Sequence, residues 1–307
     1  MSVYFRSKAA GRLPKFFTTY VSVLTVAISA VSGQVNGAEP GTAIQQSVTF
    51  HASFDSSPDA DVGQGDRRIY HGTDLSRKVV AEGLPPDGAT SVESGGRVGG
   101  YLKFHRRSEA VVFFRAGDNI AYRPENWSGS ISMWMRLNPD HDLAPGYVDP
   151  LQLTDKDWNN SALFVDFTKD DSPRHFRLGV FSDLAFWNPT QKDWESIAAK
   201  DRPMIDVADP PFTADHWTHV VLTWRDFNRR DDQPGEAELY LNGQSHGPLK
   251  GRQQFTWDTA KTVLMLGIYY TGGMDELTAF DRALTAEEVK LLTERPELIS
   301  KSVAGQR

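Results

Sequence analysis

The sequence predicts an all-β fold of antiparallel strands with one short helix near its C-terminal end. Ten short runs rich in Val, Ile, Leu, Phe, Tyr, Trp and Thr alternate with turn-rich gaps, a composition that suits a pleated surface with one buried face. Because helical segments do not alternate with these runs, the pattern favours a sandwich or barrel over a βαβ fold. The predicted strands are 47–54, 101–104, 110–115, 130–137, 162–167, 176–181, 218–224, 236–241, 262–267 and 274–280.

Local signals support several of these elements. Asn242-Gly243 follows a strand-like run and predicts a tight hairpin, since both residues tolerate a positive φ. Near the end of the chain, Thr285 and Glu288 have the spacing of a helix-capping box. Leu284 and Val289 can close a hydrophobic staple around that cap. The resulting helix is expected to run to about residue 293, before Pro296.

The N-terminal segment has the composition of a secretory signal peptide. Four basic residues precede an apolar run at 16–31, and small residues follow up to Ala38. A membrane anchor is the alternative, but the apolar run is shorter than the roughly 20 residues that span a bilayer, and no basic cluster follows it. We therefore expect residues 1–38 to be removed, after Gly33 or Ala38, and the protein to be secreted or periplasmic, or held in the cell envelope.

The remaining chain is interpreted as one domain. Residues 39–46 are expected to be a flexible lead-in, 47–296 the folded domain, and 297–307 a flexible tail. Two long polar segments, 55–100 and 182–216, interrupt the strand pattern. Loops of this length are uncommon without a role of their own.

Charge and cysteine content limit the possible partners. Loss of residues 1–38 removes four of the 33 basic residues and none of the 40 acidic ones, which leaves a net charge of −11. This charge argues against nucleic acid and anionic membrane as partners, and it is compatible with neutral glycans and with calcium. The chain has no cysteine, so disulfides and thiol catalysis are excluded.

Six motifs in order carry a resemblance to a known family. They are Phe54-Asp55, Gly100-Tyr101-Leu102-Lys103-Phe104, Gly129-Ser130-Ile131-Ser132-Met133-Trp134, the run from Trp217 to Trp224, Leu241-Asn242-Gly243, and Gly273-Met274-Asp275-Glu276-Leu277 with the capped helix after it. Over residues 47–293 the chain resembles the bacterial laminin-G-like, pentraxin-related domains of the concanavalin A-like lectin/glucanase superfamily. The resemblance implies a two-sheet antiparallel jelly-roll sandwich, often with one structural Ca²⁺, that binds glycans or proteins.

Two acids are the candidate metal ligands. Asp55 ends the first strand, and the resemblance places Asp275 at the end of the last one. Carboxylates together with backbone carbonyls can supply the oxygen ligands that calcium needs. Further acids at Asp59, Asp61 and Asp66 lie in a Gly-rich segment, where the alternative is that they are solvated turn residues.

The sequence does not predict catalysis. Glycoside hydrolysis needs two opposed carboxyl groups, which in jelly-roll glucanases come from alternate positions of one strand. The nearest match is Gly273, Asp275 and Leu277, and two of these positions lack a carboxylate. His216 and His219 give an H-x-x-H spacing on a predicted strand, where residues three apart point to opposite faces, so a structural role is favoured.

Loop aromatic residues are the candidate ligand-binding groups. Trp158, Trp187 and Trp194 lie in turn-rich connections, where a ring can stack on a sugar or, alternatively, pin the loop to the sandwich. Tyr269 and Tyr270 are possible rim residues at a strand end.

Taken together, these features predict an exported, non-catalytic binding domain that recognises a polysaccharide or a glycoprotein. Two alternatives stay open at this point. One is a protein–protein adhesion module, and the other is a carbohydrate-active enzyme, a glycoside hydrolase or lyase, with an unrecognised site.

Overall fold

The computed structural model describes residues 40–304, which form two antiparallel sheets that enclose one main core. The predicted signal peptide, 1–38, lies outside the described residues, as do both of its possible cleavage positions. Between residues 40 and 304, no helix has the length and apolar character needed to cross a membrane.

The first sheet has ten strands, in the order β15-β14-β13-β8-β18-β1-β2, with β16 beside β14 and with β6 between β18 and β5. These strands are β1 (Val48–Ala52), β2 (Val62–Gly63), β5 (Ala89–Val92), β6 (Tyr101–Phe104), β8 (Trp127–Arg136), β13 (Thr218–Phe227), β14 (Gly235–Leu241), β15 (Gln244–Ser245), β16 (Leu249–Gly251) and β18 (Gly272–Phe280).

The second sheet has eight strands, in the order β12-β11-β10-β9-β17-β7-β3-β4. Its members are β3 (Ile69–Gly72), β4 (Val80–Glu82), β7 (Val111–Arg115), β9 (Val148–Thr154), β10 (Ala162–Phe167), β11 (Phe176–Phe181), β12 (Met204–Val207) and β17 (Val263–Ile268). The pairings in both sheets are antiparallel, which confirms the predicted two-sheet jelly-roll sandwich.

The core between the sheets follows the two-residue alternation of the strands. Met133 and Met135 of β8 and Leu151 and Leu153 of β9 are all fully buried in one cluster. Side chains at the intervening positions of each strand therefore lie on the outer faces of the sheets. Trp127 and other aromatic residues fill one part of this cluster through edge-to-face contacts.

Within residues 40–304, five short α-helices complete the fold: α1 (Pro40–Gln46), α2 (Pro139–Asp142), α3 (Leu184–Trp187), α4 (Ala286–Glu294) and α5 (Leu298–Ala304). The predicted capping box is present in α4. The side chain of Thr285 accepts the N–H of Glu288, and the Glu288 carboxylate accepts the N–H of Thr285. Leu284 and Val289 are both fully buried in the same cluster, as the staple requires.

The predictions of a flexible lead-in at 39–46 and a flexible tail at 297–307 were wrong for the described parts of these segments. Residues 40–46 form α1 and residues 298–304 form α5, and α1 contacts both α5 and α4. Ile44 of α1 is fully buried against Leu298 and Ile299 of α5. Each segment is too polar to form a core alone, so sequence patterning did not reveal a contact between chain ends that are distant in sequence.

We expect Ile44→Ala to lower the free energy of unfolding by about 2–4 kcal/mol, because it removes a fully buried side chain from the α1–α4–α5 cluster. Urea denaturation of the full chain measures the change. Gln46→Ala, in the same helix and exposed, is the matched control and should change stability by less than about 0.5 kcal/mol. Equal stability of both variants would mean that α1 does not pack as described.

Candidate functional site

A groove of about 330 Å³ lies on the outer face of the eight-stranded sheet, the face turned away from the core. Its floor comes from the outward-facing residues of β9, β10, β11 and β17, among them Gln152, Phe164, Arg177 and Met265. The volume is at the lower end of the range for ligand pockets, about 300–1,000 Å³. It therefore suits a small ligand or a short segment of a longer one.

A β-bulge in β9 determines which of its side chains face the groove. Val148 pairs with Phe167 and Leu151 pairs with Val165, so three residues of β9 advance against two of β10. Pro150 lies within the bulge, where its missing N–H costs no regular ladder hydrogen bond. As a result Asp149 and Gln152 both line the groove although they are three residues apart.

Asp149 and Gln152 have no side-chain hydrogen bond or ion pair with another residue in the 40–304 region. Burial raises the pKa of the Asp149 carboxyl well above its ordinary value, the Asp166 carboxylate raises it further, and the Arg177 guanidinium opposes this. A carboxyl and a carboxamide side by side offer both donors and acceptors to a ligand.

The groove floor also contains a charged pair, Asp166 and Arg177, whose members are hydrogen-bonded to each other. Arg177 binds Asp166 through Nε, which donates to Oδ1 at 2.9 Å, and through Nη2, which donates to Oδ2. Both side chains are buried, at 6% and 3% exposure. This bidentate pair fixes the position of the guanidinium, and it engages both carboxylate oxygens of Asp166.

Aromatic side chains form the walls of the groove: Tyr147, Trp158, Trp194 and Tyr269. Trp158 contacts Trp194 edge to face, with 5.5 Å between the ring centroids, and it contacts the buried ring of Phe181 in the same manner at 5.6 Å. Trp158 is the most exposed of the four, with 42% of its surface accessible. Aromatic packing therefore attaches Trp158 both to Trp194 and to the sheet.

Cationic groups cover the rings of three of these wall residues. Arg202 lies 4.0 Å from the ring centroid of Trp194, and Arg107 lies 3.9 Å from that of Tyr269. Arg177 lies 5.2 Å from the ring of Tyr147, with Lys169 at 5.5 Å. No described cation lies over Trp158, so its ring is the one best placed to stack on a ligand.

Three of the five predicted aromatic site residues, Trp158, Trp194 and Tyr269, therefore line one groove. Trp187 does not line it: its ring packs edge-on against Phe181, and its Nε1 donates to the carbonyl of Asn159 at 2.8 Å. Trp187 thus pins its loop to the sheet, which was the alternative interpretation.

The prediction of Tyr270 as a rim residue was wrong. Tyr270 is fully buried, its ring contacts Phe104, and its hydroxyl donates to the carbonyl of Gly273 at 2.9 Å. Tyr269 has a φ of 58°, which turns the chain so that its own ring points outward and the next one inward. Sequence reasoning also missed Tyr147, Asp149, Gln152, Asp166 and Arg177, although a charged residue inside an apolar strand, as at Asp166, was an available signal.

The predicted metal ligands Asp55 and Asp275 lie elsewhere, against the glycine loop, defined as residues 94–100. Oδ2 of Asp275 accepts the N–H groups of Arg97 and Val98 at 2.6 and 3.1 Å. Oδ1 of Asp55 accepts the N–H of Gly100 at 2.7 Å. The two predicted residues are thus brought to one loop, where both act as acceptors for backbone N–H groups.

Asp275, at this loop, and the neighbouring Glu276 are buried acids that are costly to ionise. Burial raises the pKa of Asp275 to about 7, with repulsion from Asp55 adding to the effect, and burial raises the pKa of Glu276 to about 9. His51 cannot compensate, because burial lowers its pKa to about 4. Glu276 Oε1 is buried with no described hydrogen-bond partner. A bound cation would relieve this charge.

In residues 40–304, no three His, Asp or Glu side chains are grouped closely enough to form a metal site by themselves. The residues that are present fit calcium in charge and in ligand type. The carboxylates of Asp55 and Asp275 would hold the ion, and loop carbonyls would have to complete its coordination.

His219 has a structural role, as the sequence indicated. Its ring stacks on Trp134 with 4.5 Å between the centroids, and its two nitrogens are hydrogen-bonded to the hydroxyl groups of Ser132 and Thr293. His216 is exposed and lies outside this cluster.

The sandwich and its outer-face groove define this chain as a concanavalin A-like β-sandwich protein. A family model, Laminin_G_3 of the concanavalin A-like lectin/glucanases superfamily, matches residues 117–290, which is more than half of the chain. The chain belongs to this family. None of the curated proteins compared with it matches.

Solved structures show similar folds at low sequence identity. A mutant of HCR/D is 11% identical with a TM-score of 0.51, and the match covers 82% of this chain and 51% of that one. At this identity the likeness shows the fold alone. Domain 4 of AbnA, a GH43 extracellular arabinanase from Geobacillus stearothermophilus solved with arabinotriose, is 17% identical with a TM-score of 0.49, over 80% of this chain and 98% of that one.

The binding domain of botulinum neurotoxin DC, solved in complex with SialylT, is 15% identical with a TM-score of 0.47. The match covers 82% of this chain and 52% of that one. This chain therefore spans about half the length of the HCR/D and neurotoxin chains that it matches.

Proposed function

We propose that this protein is an exported, non-catalytic binding protein that holds a carbohydrate, in a polysaccharide or a glycoprotein, in the outer-face groove. The observation that carries the proposal is that one groove is lined both by the open ring of Trp158 and by the unpartnered polar groups of Asp149 and Gln152. A sugar has an apolar face of C–H groups and a rim of hydroxyl groups. The ring would bind the apolar face, and the carboxyl and carboxamide would bind the hydroxyl groups.

The arrangement of carboxyl groups favours binding over hydrolysis. A glycoside hydrolase of the common type uses two carboxyl groups that flank the scissile bond. On the groove floor, Asp149 is uncommitted, but both oxygens of Asp166 are bound by Arg177. The remaining carboxyl of the lining, Asp157, lies exposed at the groove edge. Asp275 accepts three backbone N–H groups at the glycine loop and does not line the groove.

We further propose that calcium, held by Asp55 and Asp275, has a structural role at the glycine loop. The ion would replace the protons that the raised pKa values of Asp275 and Glu276 otherwise retain near neutral pH. The groove residues belong to a different part of the sandwich, so calcium would stabilise the fold without contacting the sugar.

Trp158→Ala is expected to weaken glycan binding at least about tenfold, equal to about 1.4 kcal/mol, because it removes the open stacking surface. A glycan array identifies a bound glycan, and isothermal titration calorimetry then compares the variants. Phe186→Ala, which removes a similarly exposed aromatic ring outside the groove, is the control and should bind normally. If no glycan binds the full chain, or if Trp158→Ala binds as tightly as the parent, the proposal is wrong.

Incubation of the full chain with a polysaccharide panel should release no reducing sugar above a buffer control, since only one groove-floor carboxyl is uncommitted. A reducing-end assay and a test for unsaturated products cover hydrolases and lyases. Release that is lost in Asp149→Asn would establish a carbohydrate-active enzyme in place of a binding protein.

Calcium should raise the thermal unfolding midpoint, and should do so more at pH 9 than at pH 6.5. Burial raises the folded-state pKa of Asp275 to about 7, above its ordinary value of 3.8, and that of Glu276 to about 9, above its ordinary value of 4.5. The folded state therefore binds protons more tightly than the unfolded one, and stability without calcium falls as pH rises through these values. His51 opposes this trend slightly, because burial keeps its folded-state pKa at about 4 while the unfolded imidazole, with an ordinary pKa of 6.5, is still partly protonated at pH 6.5.

Melting curves in calcium and in EGTA test this expectation. Asp275→Asn should remove the calcium-dependent shift, whereas Asp232→Asn, at an exposed position, should retain it. Identical midpoints in calcium and EGTA at both pH values would exclude the proposed ion.

A further inference from the structure

We infer that the carbohydrate bound in the outer-face groove carries a carboxylate, as uronic and sialic acids do, and that Arg77 binds this carboxylate. This inference rests on the proposed carbohydrate-binding function and names the class of sugar that the same site takes. It follows from the partners of the cations that line the groove and from the position of Arg77 on the groove floor.

Arg77 is the cation of the groove lining that has no acidic partner in the described part of the chain. Arg177 is held bidentately by Asp166. Lys156 lies 3.4 Å from a carboxylate oxygen of Asp183. Burial lowers the pKa of the Arg77 guanidinium, and no described carboxylate opposes this effect. Because an arginine side chain stays protonated even so, the groove contains a half-buried cation without a counter-charge.

The nitrogens of Arg77 that would bind a carboxylate are uncommitted. Its Nη1 donates to the carbonyl of Leu75 at 2.8 Å and to Sδ of Met265 at 3.1 Å. Its Nε and Nη2 have no hydrogen-bond partner among the described residues, and in Arg177 the same two nitrogens bind both oxygens of Asp166. A ligand carboxylate would replace the water at this planar pair of donors with two charge-assisted hydrogen bonds.

Arg77 is attached to the row of floor residues that contains Gln152. Met265 of β17, which Arg77 contacts, pairs with Gln152 of β9. Neighbouring strands are about 4.8 Å apart, and side chains at paired positions lie next to each other on the same face. The guanidinium and the carboxamide therefore both lie beside Met265, where one ligand can reach both of them.

The same row leads to the open tryptophan of the groove wall. Phe164 of β10 pairs with Gln152, and its ring stacks on that of Phe181 with 5.3 Å between the centroids. The ring of Phe181 in turn contacts Trp158. Arg77 and Trp158 are thus reached from opposite ends of the row, so a sugar stacked on Trp158 would direct its own carboxylate, or that of the adjoining sugar, toward Arg77.

The acids of the lining do little to repel such a ligand. Burial raises the pKa of Asp149 well above its ordinary value, and Asp166 raises it further, so this carboxyl keeps its proton more readily than an ordinary aspartate does. In the protonated form it donates a hydrogen bond. The charge of Asp166 is matched by that of Arg177. Asp157 is exposed at the groove edge, where water and salt screen its charge.

The test compares matched acidic and neutral glycans on the full chain by isothermal titration calorimetry. The acidic panel contains oligogalacturonates, oligomannuronates and sialyllactose, and a neutral panel and a sulfated panel are measured beside it. Each acidic glycan that binds is measured again after methyl esterification of its carboxylates and after their reduction to alcohols. We expect at least one acidic glycan to bind, at least about tenfold more tightly than either of its neutral derivatives and than any sulfated glycan.

Arg77→Gln removes the charge and the pair of donors. It should bind the acidic glycan at least about tenfold more weakly than the parent, while its affinity for the neutral derivatives changes by less than about twofold. Lys78→Gln is the matched control, because it makes the same change of charge at the next residue, which is exposed and does not line the groove. It should bind both forms as the parent does. The comparison of derivatives on the parent needs no variant, so it stands even if Arg77→Gln unfolds.

The outcomes distinguish the inference from the function on which it rests. Binding of neutral or sulfated glycans as tight as that of the carboxylate forms, or binding of neutral glycans alone, would overturn the inference and leave carbohydrate binding intact. A preference for the carboxylate that persists in Arg77→Gln, or that Lys78→Gln loses equally, would also overturn it, since Arg77 would then not be the group that binds the carboxylate. Absence of binding to every glycan in all panels would overturn the proposed function, and the inference with it.

Discussion

The extra residue at the bulge of β9 is the constraint on which the groove depends. Without it, two-residue alternation would turn Asp149 to the side opposite Gln152, and either Val148 or Leu151 would leave the core. Burial of both apolar side chains stabilises the bulge, because exposing either would cost about 1.5–3 kcal/mol. The placement of the two polar groups is therefore a consequence of core packing and needs no stabilising contact of its own. This explains how they can remain unpartnered.

Two separate interactions, an ion pair and an aromatic cluster, hold the side chains of the groove in place. The bidentate Asp166–Arg177 pair is nearly buried, and removing either partner would leave an uncompensated charge. The ring of Phe181, itself fully buried, contacts the wall residues Trp158 and Trp194 and also Trp187, so it holds the tryptophan side of the groove in place. A ligand would then meet a preformed surface and lose little affinity to the ordering of side chains.

Features that depend on local sequence could be predicted, and those that depend on pairing could not. The strands at 101–104, 162–167 and 176–181 and the cap at Thr285 follow from residue types and spacing that act within a few positions. Strand β9 was missed because Pro150 breaks its pattern. Helices α1 and α5 were missed because each is stabilised by the other. The aromatic walls were partly found because large rings in polar loops are conspicuous, whereas the polar floor becomes visible only once β9 is paired with β10.

Asp275 and Asp149 differ in what surrounds their oxygens, and this separates a structural role from a ligand-binding one. Asp275 accepts three backbone N–H groups, so its oxygens hold the glycine loop in place, and its charge needs a proton or cation more than it needs a further donor. Asp149 has no such donors, so its hydrogen-bonding capacity faces the groove. An uncommitted polar group that faces an open groove is hydrated, and a ligand that donates to it replaces this water for a net gain of about 0.5–1.5 kcal/mol. The groove brings such polar groups and an open aromatic ring into one lining, so a polyhydroxylated ligand can gain both kinds of contact there.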